Sequence, residues 1–176
     1  MENKHNIYIV LTYSGTVLSR LVKGYTRKEY SHVSISLNES LNPMYSFGRL
    51  NPYTPLFAGI VKESTKYGFY KRFKNTKSRI YTLQVTTEEY NKLKENIDNM
   101  YANKKKYRFN MLGLMAVPLH LKVHRNNHFY CAEFVKYVLE NSVGGIELPE
   151  IIKPEDFEEI KGLELIYTGV LRKYKM

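Results

Sequence analysis

The chain carries a single cysteine, Cys131, and five histidines. A thiol acts as nucleophile or metal ligand in its thiolate form, which backbone N–H groups at a helix start favour. In the stretch HFYCAEFVKYVLE, residues 128–140, Phe134, Val135, Val138 and Leu139 repeat at helical spacing behind the cysteine. A helix starting at Tyr130 or Cys131 would put the thiol at such a start, where the same N–H groups could hold an oxyanion during acyl transfer. A nucleophilic thiol also needs a base. His32 is the best placed by position: it opens SHVSISLN, and a strand start holds a ring rigidly. His5 is near the N-terminus, and His120, His124 and His128 lie close to Cys131 in sequence.

Two other readings of Cys131 stay open. A free cysteine at an apolar helix start packs well as a small buried residue. Alternatively, His120, His124, His128 and Cys131 offer four zinc-type donors within twelve residues. That spacing is not a recognised ligand pattern, and HRNNH reads as a loop that would break the shared helical face.

The elements that must position these residues follow from periodicity. NIYIVLTY reads as a buried strand, broken by Ser14 and Gly15. The next stretch puts Val17, Leu18, Leu21 and Val22 on one helical face, with Gly24 as the stop. SHVSISLN alternates strictly, so His32, Ser34 and Ser36 share one face and Val33, Ile35 and Leu37 the other. ESLNP is a turn, and MYSFG the returning strand. Pro52, Pro55 and Gly59 argue for a loop, with AGIVKES and YGFYKRF as short strands beyond. RIYTLQV is a strand, and Thr86 and Glu89 form a capping box for the helix after it. Residues 109–121 predict a short buried helix ended near Pro118, and KPEDFEEI a short helix with proline in its first turn. LELIYTGVLRKY closes the chain as a strand or hairpin. The expectation is an α+β fold of one domain over residues 1–176, mainly an antiparallel sheet packed with helices.

At this point the pattern resembles a family. YSHVSISL, a hairpin and a much later FYCAEFVKYVLE look like the circularly permuted papain-like cysteine hydrolases of the NlpC superfamily, the YiiX-like group. In that group a histidine at a strand start precedes a cysteine at a helix N-terminus. The cysteine sits in the order aromatic, Cys, small, Glu, aromatic or aliphatic, aliphatic, here Tyr130, Cys131, Ala132, Glu133, Phe134 and Val135. The similarity runs from about Ile7 to Leu139. It implies a circularly permuted papain-like fold and a thioacyl mechanism, with Cys131 as nucleophile and His32 as base. The oxyanion site would combine the Cys131 amide with a polar group near Thr12 or Tyr13. A third residue should orient the imidazole, often a glutamate from the strand after the histidine strand. Here Ser46 stands at the closest match, and Glu63 is the alternative if its segment folds back beside His32. Tyr130 and Glu133 flank the nucleophile; Glu133 reads either as a first-turn carboxylate favoured by the helix dipole or as a contact to a substrate amine.

The expected activity is that of an amidase, peptidase, esterase or acyltransferase acting on a small peptide, an amide or a lipid ester, with no cofactor and no metal. The competing function is a non-catalytic basic domain. Net charge is +10, from 27 basic and 17 acidic residues, and basic clusters at residues 70–79, 103–108 and the C-terminus interleave with tyrosine and phenylalanine. Such clusters suit nucleic acid or another anionic partner. One cysteine forms no internal disulfide, and no stretch reads as a secretory leader or a spanning helix. The expected setting is cytoplasmic, without integral membrane association.

Overall fold

The computed structural model describes residues 4–51 and 54–174. Its centre is a six-stranded antiparallel sheet in the order β4-β3-β2-β1-β5-β8. The strands are β1 (Lys4–Tyr13), β2 (His32–Ser36), β3 (Met44–Asn51), β4 (Thr54–Glu63), β5 (Lys77–Thr86) and β8 (Leu163–Val170). Two further strands, β6 (Arg108–Phe109) and β7 (His128–Phe129), form a short parallel pair. The helices are α1 (Val17–Thr26), α2 (Gly68–Arg72), α3 (Thr87–Ala102), α4 (Met111–Ala116) and α5 (Cys131–Glu140). The α+β expectation with a mainly antiparallel sheet therefore holds.

β1 lies in the middle of the sheet because it can be buried on both sides. Ile7, Ile9 and Leu11 face the layer built by α3 and α5, beside Val33, Ile35 and Leu83 of the neighbouring strands. Tyr8 and Val10 face the other way, into a smaller cluster with Met44, Tyr70, Ile80 and Leu171. Each side chain withdrawn from water on these faces contributes about 1.5–3 kcal/mol. The β1–β2 register pairs Thr12 with His32 and Val10 with Ser34, so the strand end and the strand start that matter for chemistry lie side by side.

The face carrying His32, Ser34 and Ser36 is as predicted, but it is not a solvated one: Ser34, Ser36 and Ser46 are all fully buried. Buried hydroxyls need partners. The Ser36 hydroxyl lies 2.9 Å from the carbonyls of both Asn38 and Pro43, which share its one proton, and Ser34 donates to the carboxylate of Glu63.

Several elements depart from expectation. The loop expected around Pro52, Pro55 and Gly59 is largely strand, since β3 and β4 pair across Gly48 and Gly59; Pro52 lies outside the described residues, as do the side chains of Pro55, Val17, Leu18 and Leu21. Gly24 lies inside α1, which instead ends at Arg27 in the left-handed conformation. YGFYKRF forms α2 and not a strand. Residues 109–121 do form a helix that ends before Pro118, but α4 is not buried: Met111, Leu112 and Met115 are exposed. The capping box on α3 is present, with Glu89 N–H donating to Thr86 Oγ1 at 3.2 Å and Thr86 N–H donating to Glu89 Oε2 at 2.9 Å. KPEDFEEI folds as a 3-10 helix, Pro154–Glu159.

Candidate active site

Cys131 is the first residue of α5, where the sequence placed it. Phe134 N–H is bonded to Tyr130 O at 3.0 Å, and the amides before it lack an acceptor one turn back. Glu133 takes the Tyr130 N–H at 3.0 Å, which leaves the Cys131 amide free of that cap. Cys131 is 7% exposed and lines a cavity of about 300 Å³.

His32 stands on the same cavity. Its Nε2 is 3.0 Å from Glu63 Oε1 and 3.1 Å from Ser46 Oγ, so the two candidates for a third residue meet at one ring nitrogen. Nε2 is thus turned to the carboxylate, while Cys131 lines the same cavity as the ring. Burial alone would lower the imidazole pKa, but the charge of Glu63, the nearby Cys131 side chain and the hydrogen bond with Glu63 raise it to about 10. The histidine is thus held as an imidazolium next to the thiol.

Glu63 is the hub. Burial opposes its charge, yet the His32 charge and hydrogen bonds from His32, Ser34 and Ser46 hold its pKa below the ordinary carboxylate value. Ser34 Oγ donates at 2.5 Å and Tyr70 OH at 3.5 Å to Oε2. A carboxylate with this many donors stays ionised in a buried site. Gly48 makes room for it, since a Cβ there would stand 3.3 Å from both Glu63 Oε1 and Ser46 Oγ.

Thr12 faces the cavity, buried, with its Oγ1 3.3 Å from Tyr70 OH. Tyr13, predicted beside it, does not line the cavity; it packs on the main core with the Lys23 ammonium 4.7 Å from its ring centroid. Successive strand residues point to opposite faces, so Thr12 and Tyr13 could not both serve one site. Tyr130 lines the cavity, but its hydroxyl donates to Ile152 O at 2.9 Å. Glu133 does not face the cavity: Asn110 Nδ2 donates to both of its oxygens, at 3.3 and 3.2 Å, and its role is that of a first-turn cap.

The histidines of the zinc reading do not gather around Cys131. His120 and His124 are exposed, and His128 Nδ1 bonds to Asn126 O at 2.7 Å. Among the described residues no group of three or more His, Cys, Asp or Glu side chains could hold a metal ion.

Tyr70 was missed in the sequence. It is fully buried, and burial followed by the charge of Glu63 raises its pKa well above the usual tyrosine value, so it remains a donor. Nothing local separates it from the other tyrosines among the sixteen. Asn110, buried at the head of α4, accepts from Gly113 N–H at 3.0 Å through Oδ1, and an asparagine just before a helix is the signal by which such a cap could be found.

No family model and no curated protein matches the chain. Among the described residues, no helix is long and apolar enough to cross a membrane.

Proposed function

We propose that the protein is a cysteine hydrolase or acyltransferase of the permuted papain-like kind, acting on an amide or ester through a thioacyl intermediate. The observation that carries this reading is the placement of Cys131, at a helix start, on the same cavity as His32, whose Nε2 lies 3.0 Å from Glu63 Oε1.

The Cys131 thiolate attacks the substrate carbonyl carbon and forms a C–S bond. The carbonyl π electrons move onto oxygen, and the oxyanion is held by the Cys131 amide at the N-terminus of α5. As the tetrahedral centre collapses, the bond to the leaving amine or alkoxide breaks and His32 gives it a proton. The thioacyl group then waits for water or an acceptor hydroxyl. Neutral His32 takes the proton of that nucleophile as its oxygen bonds to the acyl carbon; the C–S bond then breaks, the acid or new ester leaves, and thiolate and imidazolium are restored. Glu63 keeps the ring oriented and its positive charge compensated throughout, and Ser34, Ser46 and Tyr70 hold Glu63. Thr12 offers a hydroxyl on the cavity wall, since the Tyr70 hydroxyl is turned to Glu63.

Iodoacetamide alkylation at about pH 6 tests the pair. Cys131 is expected to react faster than a small free thiol under the same conditions, and His32→Ala to remove that advantage. An activated ester such as p-nitrophenyl acetate should leave an acyl group on Cys131, detected by intact mass. Ordinary free-thiol reactivity that His32→Ala leaves unchanged would sink the reading.

A further inference from the structure

The run from Asn99 to Ala132 contains no acidic residue, yet it holds six lysines and arginines, all exposed. Among the described residues five of the six form no ion pair, the exception being Lys122, which meets Glu150. In the middle of this basic run lie α4 and the 3-10 turn Val117–Leu119. Their inner side is anchored: Ala116 and Val117 are buried and Leu114 packs on the main core. A surface helix with one side so anchored normally shows polar residues on the other. Here the outer side is Leu112, Met115 and Leu119, exposed by 56%, 63% and 69%, continued by Leu121 at 56%. The patch also runs into the cavity mouth, since Met111 and Leu114 line the cavity that holds Cys131, as do the exposed Leu50 and Tyr67.

We propose that this face docks on an anionic lipid bilayer, with α4 and the turn after it lying in the headgroup boundary and the cavity mouth turned to the membrane. The choice of occupant follows from charge and hydrophobicity together. A bilayer of anionic lipid offers apolar depth for Leu112, Met115, Leu119 and Leu121 and a negative surface for the exposed lysines and arginines that flank them in the chain. A second copy of the chain would bring the same basic run and a net charge of +10 against it. A nucleic acid would meet the charges but leave the leucines and methionine in water. The docking is peripheral and is independent of the thiol chemistry, so Cys131→Ala should bind vesicles like the native chain.

Flotation of the full chain tests this, with vesicles of phosphatidylcholine alone or with about one-third phosphatidylserine. The protein is expected to float with the anionic vesicles, less so at high salt, and not with the neutral ones. The double variants L112S/M115S and R108E/R125E should each weaken binding by about tenfold or more, with native melting temperature and native alkylation of Cys131. L119S/L121S provides a second apolar test should the first variant fold poorly. Failure to float with anionic vesicles overturns the proposal. So does native-like flotation of the apolar variants, which would leave only charge attraction. A concentration-dependent dimer abolished by L112S/M115S would also overturn it and assign the face to a second copy.

Discussion

Glu63 reaches His32 from β4, two strands away in the sheet, and shares the Nε2 position with Ser46 of the intervening strand. Sequence alone left these two as alternatives because strand membership of residues 54–63 was obscured by Pro52, Pro55 and Gly59. Once β4 is a strand, parity with Ser46 follows from the pairing of Met44 with Glu63, and the carboxylate falls on the histidine face. The two residues are not equivalent partners. Glu63 carries the charge that holds the imidazolium, whereas Ser46 supports Glu63. Glu63→Gln keeps the size and an acceptor but removes the charge, so the His32 pKa falls back toward its ordinary value near 6.5. At pH about 8 the alkylation rate of Cys131 should then drop by roughly tenfold or more, and turnover of an activated ester by about 10²-fold. Ser46→Ala should change either rate by less than about threefold. Equal losses in the two variants would show that Ser46 and not the carboxylate charge carries the imidazolium.

At the scale of elements, periodicity was most informative where a single face decides the structure. The strict alternation of SHVSISLN set the side-chain parity of β2, and the Thr86–Glu89 box set the start of α3. It failed where burial depends on distant partners. The apolar run at residues 109–121 reads as core by composition, but only one side of α4 finds the sheet layer. The serine face of β2 reads as polar, and its burial is not legible because Glu63 and Tyr70 close over it from β4 and α2. Glu133 illustrates a motif residue whose position belongs to architecture: it accepts from Tyr130 N–H and Asn110 Nδ2 and so fixes the start of α5 against the head of α4. Burial raises its pKa, with those hydrogen bonds acting in opposition. Glu133→Ala should therefore lower stability by about 1–2 kcal/mol in chemical denaturation, as the loss of a helix cap does. Alkylation of Cys131 and KM for an uncharged ester should both stay within about threefold of native in the folded protein. A selective rise in KM for amine-bearing substrates, without loss of stability, would instead assign Glu133 to substrate binding.

For the whole molecule, the strong positive charge and the buried ion pair make stability depend on pH in a readable way. The relevant comparison is between His32 in the folded chain, with a pKa of about 10, and His32 in the unfolded chain, near 6.5. Between those values the folded state holds a proton that the unfolded state has lost. Stability from this group is then fully present below about pH 6.5 and falls as pH rises toward 10. Glu63 works on the acid side: its folded pKa lies below the usual 4.5, so its contribution is present above that value and is lost as pH falls further. Lysines and tyrosines also titrate near the alkaline end, so the native chain alone does not isolate the pair. The difference between the native chain and Glu63→Gln does. Measured by chemical denaturation at matched ionic strength, that difference should be largest near pH 6, on the order of the 3–5 kcal/mol that breaking a buried ion pair costs, and should shrink steadily toward pH 10. A difference that is constant across this range would mean that Glu63 stabilises the fold through its hydrogen bonds with Ser34 and Tyr70 and not through the charge on His32.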